Sequence, residues 1–464
     1  MTRRPGGTSP PVGSRGTPAD RATTAAVLWP LVALAVPMLI GQAGQVLIQL
    51  TDTLMLGRVG SVPLAAAAVA GSFMMLALSF AYGALGAVAP SIAQAHGAAD
   101  RHRAAGLARA GTVLGFAVGC LAAVGISGLA FFLDRLGQPP EVVAAARPYL
   151  LLVAWSLPAG MAAVAMGQAA EALGQPWPVL GCLLAAVATN AVLDWILIFG
   201  AGPLPPLGLV GAGCATFATR WLQAAALAAW IARGRQLRPF GIFTAAAQGP
   251  GRLRSLLADG LPVAAQDVLE GGSFAVGSLM IGWAGVRALA AHQVTVGIAS
   301  LAWVVPIALA GATSVRVAHA AGAGDFAAAR RTGMVAVALG AAVMGACAVV
   351  YTTCGTWLAR LFTSDADVVA LAATLVTIAG LYQVSDAVQS VSLGALRGLL
   401  DNRVPLLVNL ICYWGLSIPT VYLLSVVAGW GAIGVWVGYL PWMALAGVVF
   451  LARFIAETGR RVSR

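Results

Sequence analysis

Residues 259–293, DGLPVAAQDVLEGGSFAVGSLMIGWAGVRALAAHQ, hold the key to the fold. From Leu261 onward the stretch is apolar enough to form a membrane helix, which needs about 20 such residues. Yet Glu270 stands near the middle of that helix, with Asp267 one turn before it. A carboxylate at bilayer depth costs about 3 kcal/mol on insertion scales. It therefore calls for a cavity, a partner or a proton that neutralises it.

The rest of the chain fits that reading. Of 464 residues, 60% are hydrophobic and 9% charged, against roughly 25% charged in soluble domains. This composition predicts an all-α polytopic membrane protein. All 27 basic residues are arginine. Without lysine there is no P-loop lysine and no Schiff base, so the chain carries no ATPase of its own. No residues suggest covalent chemistry or a cofactor, and the expectation is that the protein is not an enzyme. The net charge of +11 sits in short loops between apolar runs, which argues against a nucleic-acid partner. The six cysteines lie in or beside apolar runs and make no metal-binding spacing.

Twelve apolar runs are long enough to span: 27–53, 62–90, 106–130, 148–170, 177–199, 208–232, 258–284, 288–314, 333–356, 367–394, 404–427 and 430–452. If the amino terminus is inside, 21 arginines fall in inside segments and five outside (Arg58, Arg135, Arg147, Arg287 and Arg360). That bias predicts two cytoplasmic termini in the inner membrane. It also demands an even number of spans.

Residues 259–293 have an echo. A shift of 225 lays Pro37 on Pro262, Gly60 on Gly285 and Leu64 on Leu289. Further on, SIAQAHGAAD (91–100) meets VRVAHAAGAGD (315–325), with Gly97 on Gly322 and Asp100 on Asp325. The shift then drifts to 226, where Glu141 meets Asp367, and to 227, where Pro178 meets Pro405. A repeat of half the chain predicts two six-helix lobes around a pseudo-twofold axis along the membrane normal, working by alternating access. The expected organisation is a disordered cytoplasmic tail (1–24), a first lobe (25–232), a basic cytoplasmic linker (233–257), a second lobe (258–453) and a cytoplasmic tail (454–464).

Few ionisable residues fall within the spans: Asp52, Asp194 and Arg220 in the first lobe, and Asp267, Glu270 and Asp386 in the second. Asp52 is either a solvated residue near a helix end or part of a cavity. Asn190 and Asp194 are four residues apart and share a helix face. Such a pair either binds a proton or alkali ion, or makes a structural hydrogen bond. Gln383 and Gln389 flank Asp386 at three residues on either side, so that helix offers a polar stripe to a cavity. Asp267 is either a second acid beside Glu270 or a satisfied ion-pair partner. Arg220 either pairs with a carboxylate or snorkels. His292 reads as a packing or polar-network residue rather than a proton relay. The acids of the two lobes are not equivalent: Asp52 maps onto Gly277, and Glu270 onto Gln45.

Taken in order, Pro37 followed by LTDTLMLGRVG (50–60), NAVLDWILIFG (190–200), AAHQ (290–293) and YQVSDAVQSVSLGALRG (382–398) resemble the multidrug and toxic-compound extrusion (MATE) transporters. The resemblance implies two six-helix lobes around a central cavity, driven by inward H⁺ or Na⁺ and expelling organic cations. It implies that Asp52 is the family's first-helix aspartate, and that Asn190 and Asp194 are the fifth-helix pair of DinF-like members. Glu270 and Asp386 fall where NorM-like members carry a seventh-helix glutamate and a tenth-helix aspartate. Asp267 has no such counterpart. The expected partners are small organic substrates and membrane lipid, with the protein acting as a monomer. A flippase for lipid-linked oligosaccharides shares this architecture, but its anionic headgroup favours cavity arginines, whereas the intramembrane charges here are mostly acidic. A passive channel is a third reading, against which the half-length repeat argues.

Overall fold

A computed structural model describes residues 24–137, 139–201, 204–243 and 250–463. Apart from Thr24, the expected amino-terminal tail lies outside the described residues, as do residues 244–249 of the linker. Twelve long helices follow one another. The first six are α1 Thr24–Val59, α2 Ser61–Gly97, α3 Arg101–Phe131, α4 Pro140–Ala172, α5 Pro176–Phe199 and α6 Gly208–Arg233. The second six are α7 Pro250–Trp283, α8 Val286–Gly322, α9 Phe326–Arg360, α10 Ala366–Gly398, α11 Arg403–Val427 and α12 Gly431–Val462.

The helices overrun the apolar runs. α8, at 37 residues, continues well past the expected 288–314. α7 opens at Pro250, inside the stretch read as linker, and α12 runs through Val462, inside the stretch read as a tail. By length and apolarity, ten helices among the described residues can cross a membrane. The two that fall short are α6 and α7, which carry Arg220 and the Asp267–Glu270 pair. Their place in the bundle comes from packing.

The repeat is visible in how the helices end. Gly60 and Gly285 take φ of 151° and 106° at the α1–α2 and α7–α8 turns, a region from which side chains are excluded. After α2 the chain reverses through Ala99 at φ 57°, and Asp100 accepts a hydrogen bond from the Arg103 amide at 2.8 Å. After α8 it reverses through Gly324 at φ 78°, and Asp325 accepts from the Ala328 amide at 2.8 Å. The repeated aspartates are thus N-caps of α3 and α9, each stabilising its helix by about 1 kcal/mol.

Each lobe has its own apolar centre. Leu56, Leu150, Leu157 and Ile198 lie in the first, and Ile281, Leu375, Tyr413 and Val421 in the second. A third cluster crosses the seam between lobes and joins Leu31, Leu85 and Ile92 to Ala264, Leu309 and Ala312.

The seam depends on small residues. A methyl group on Gly97 would overlap the His319 carbonyl, and one on Gly322 would overlap the Gln94 carbonyl. These are repeat-related contacts, each residue of one pair lying 225 positions from its counterpart in the other, so the pseudo-twofold axis passes between α2 and α8 here. Gly83 lies against Ala264, and Gly260 against the Ala84 carbonyl. Gln94 donates to the Gly398 carbonyl at 3.0 Å. All these contacts lie toward the ends where the arginine-rich loops attach. Nearer the opposite ends the buried apolar clusters each stay within one lobe, with Leu56, Leu150 and Ile198 in the first and Ile281, Leu375 and Val421 in the second. The lobes therefore meet at one end and part toward the other.

Candidate functional site

The first lobe gathers Asp52 of α1, Asn190 and Asp194 of α5, and Arg220 of α6. Asn190 and Asp194 are buried, at 3% and 0% exposure, because α5 turns one polar face inward between α1 and α6. Asp52 is half-buried and its carboxyl faces that of Asp194. Neither Asp194 oxygen, nor Asp52 Oδ1, nor Asn190 Nδ2 has a hydrogen-bond partner. Two facing carboxyls without a donor can be satisfied by a shared proton or a bound cation. Arg220 does not ion-pair with them. Its side chain packs against Gly160 of α4, and its Nη1 donates to Ser156 Oγ at 3.0 Å. The charges acting on it include Asp52 and the phenols of Tyr82 and Tyr149. Gln45 is exposed on α1.

The second lobe gathers Glu270 of α7 and Asp386 of α10 around a group of aromatic rings. Asp386 is 2% exposed. Its Oδ1 accepts from Ser390 at 3.2 Å, and its Oδ2 has no partner. Glu270 feels the charges of Asp386, Asp267 and Arg397, and its carboxyl contacts Tyr413. Tyr413 donates its one proton to Gln389 Oε1 at 3.0 Å. The same phenol oxygen lies against the Glu270 carboxyl. Phe274 packs against Tyr382, Tyr413 and Tyr439, with ring centroids 5.2–6.3 Å away.

The polar stripe expected on α10 does not line an open cavity. Gln383 is 2% exposed and donates to the Ala299 carbonyl of α8 at 2.8 Å; Gln389 is 1% exposed and is taken by Tyr413. Both lock helices together. His292 lies between Ser278 and Trp436. Trp436 donates to Nδ1 at 3.3 Å, so the proton resides on Nε2, which faces Ser278 Oγ at 3.1 Å. Asp267 pairs with Arg397 at 3.0 Å.

Sequence reasoning missed Tyr382, Tyr413, Tyr439, Arg397 and Ser156. A usable signal was present: the chain has seven tyrosines, and three of them collect around Phe274. It also missed the local form of α11, which widens into π-helical turns over Leu410–Ser417 and Leu423–Val427. The first of these carries Tyr413. Such turns re-aim side chains and recur at functional sites.

Comparison with known proteins agrees with this fold. The MatE family model matches residues 37–196 and again 262–423, once per lobe and in the repeat register. A probable multidrug resistance protein NorM from Bradyrhizobium diazoefficiens is 36% identical over 414 residues, 88% of each chain. One from Deinococcus radiodurans is 36% identical over 455 residues, covering 95% of this chain and 98% of its own. A mutant of the Vibrio cholerae MATE transporter has the same fold, with a TM-score of 0.86 at 21% identity over 94% of this chain and 98% of that one. So does an outward-facing multidrug resistance MATE family transporter, with a TM-score of 0.85 at 19% identity, 93% of this chain and 96% of that one. Twelve helices, a repeated family match and full-length relatives lead to one conclusion: this multi-pass integral membrane protein belongs to the MatE family of transporters.

Proposed function

We propose that this protein is a secondary active exporter of organic, often cationic and lipophilic compounds, exchanging them for inward H⁺ or Na⁺. The observation that carries the reading is a set of acids inside each lobe, Asp52–Asp194 and Glu270–Asp386, of which Asp52, Asp194 and Asp386 keep a buried carboxyl oxygen with no hydrogen-bond donor. In a low-dielectric cleft such acids attract a lipophilic cation, and a proton or Na⁺ that neutralises them cancels that attraction. Each charge moved down 100 mV yields about 2.3 kcal/mol, enough to drive substrate uphill. The multidrug resistance names of its relatives agree with this use.

The protein acts as a monomer in the inner membrane, with both termini in the cytoplasm and no cofactor. Residues 25–232 and 258–453 are the two moving lobes, 233–257 the linker, and 1–24 and 454–464 the tails. With the arginine-rich loops inside, the seam closes the cytoplasmic end and the cleft opens outward.

The test is export of ethidium by the full chain in proteoliposomes with an imposed pH or Na⁺ gradient. Uphill export that collapses with the gradient supports antiport; equilibration that ignores the gradient excludes it and indicates a passive pore. Arms with Na⁺-free and Na⁺-containing buffer assign the ion.

A further inference from the structure

Asp267 and Arg397 stand apart from the acids just described. Arg397 Nη2 reaches Asp267 Oδ1 at 3.0 Å and Gln266 Oε1 at 3.5 Å, both on α7. Its Nε is buried with no partner. The other oxygen of Asp267 faces the seam, where a methyl group on Gly83 would lie 3.0 Å from Oδ2. One helical turn further along α7 is Glu270, and the Arg397 charge acts on it too. The guanidinium therefore has two carboxylates within its field, on one face of one helix. Around Glu270 the other groups in play are Asp386, Tyr382 and Tyr413. None of these is a competing cation.

The first lobe has no such arrangement. The repeat puts Gln42 at the place of Asp267. It puts Glu171 at the place of Arg397, because Gly174 and Leu400, three residues later, both adopt the left-handed conformation that ends the helix. Where no arginine approaches the acids along that helix, no second acid is needed to occupy it.

We propose that Asp267 is a positioning residue: it holds Arg397 at the seam and off Glu270, so that Glu270 stays open to the coupling cation. This rests on Glu270 belonging to the cation site. Without the Asp267 charge, Arg397 swings one turn along α7 and pairs with Glu270 as an internal cation. The transported cation must then displace it. An arginine beside a carboxylate favours the charged form by one to three pH units, so the competition costs at least about tenfold in apparent cation affinity.

The experiment is gradient-driven ethidium export by the full chain in proteoliposomes, titrated with NaCl at fixed pH and with pH in Na⁺-free buffer. Asp267→Asn should need at least about tenfold more of the coupling cation for half-maximal export. Asp267→Glu should match wild type, and Asp267→Asn with Arg397→Gln should return to within about threefold, because the competitor is gone. A merely structural ion pair predicts the opposite for the double variant, which would be no better than the single. Unchanged cation dependence in Asp267→Asn, or no rescue in the double variant, overturns the proposal. If Asp267→Asn does not elute as a monodisperse protein, Arg397→Gln alone decides: cation dependence as good as wild type or better supports it, and a weakened one overturns it. Glu270→Gln separates the two readings. If it still couples export to the gradient, the placement of Glu270 in the cation site fails; if it uncouples export while Asp267→Asn changes nothing, only the role of Asp267 fails.

Discussion

The two lobes share a backbone and differ in charge at matching positions. In the first, Gly160 leaves room for the Arg220 side chain, whose guanidinium binds Ser156. In the second, the same places on the helix, 226 residues on, hold Asp386 and Tyr382. The first lobe thus has a cation packed where the second has an acid. On the opening helices the exchange runs the other way along the chain: Asp52 lies on Gly277, and Glu270 on Gln45. Duplication has preserved what makes helices end and pack, namely the glycine turns and the capping aspartates. It has not preserved the charges placed inside each lobe. The formal balance differs as a result: Asp52 and Asp194 against Arg220 in one lobe, and Asp267, Glu270 and Asp386 against Arg397 in the other.

The severest test of this contrast is to neutralise the acids. Glu270→Gln and Asp386→Asn should each lower gradient-driven ethidium export by more than about tenfold, as expected for a carboxylate retained at membrane depth for function. Asp52→Asn and Asp194→Asn should cost less, about two- to fivefold, because Arg220 already offsets part of the charge in that lobe. If the first-lobe variants are the more damaging, the offset by Arg220 does not set the ranking and the first lobe carries the larger share of the coupling.

The seam should respond equally from both sides. Gly97→Val and Gly322→Val each force a side chain into a carbonyl of the opposite lobe, an overpacking cost of about 1–3 kcal/mol that applies only while the seam is shut. Both should raise cytoplasmic labelling of an Ala318→Cys probe, buried in the parent, by roughly tenfold. A strong asymmetry between them would show that the axis does not pass through this contact.

A smaller effect is expected at Tyr413→Phe, which removes the hydrogen bond to Gln389 and leaves a buried amide oxygen unpaired. Thermal unfolding in detergent should report a loss of about 1–3 kcal/mol. Its cation dependence should weaken as well, through the lost oxygen beside Glu270. The mildest changes belong to the caps: Asp100→Ala and Asp325→Ala should each cost about 1 kcal/mol, with transport unchanged. Unequal losses would mean that one cap carries more than its helix end.

Most of the architecture was legible because it rests on local rules. Apolar run length predicts spans, and the Pro37–Pro262 and Asp100–Asp325 matches expose the repeat. The candidate acids were legible because a charge in an apolar helix stands out. Their partners were not. Arg397 reads as a loop arginine until α10 and α7 are side by side, and Tyr413 reads as packing until a π-helical turn aims it at Gln389 and Glu270. The polar stripe of Gln383 and Gln389 was visible, but whether it faced water or another helix was not.

Residue order alone was enough for a twelve-helix membrane chain, its division into two like-oriented halves, and the charged side chains that stand within the spans. Hydropathy and short turns act over a few residues, so a linear chain displays them. Packing in three dimensions settled the rest: α6 and α7 belong in the bundle despite their charges, small residues bring the lobes together at one end, and Arg220 and Arg397 find particular partners. Those outcomes depend on distances between residues far apart in the chain, some of them hundreds of positions, and no local pattern encodes them.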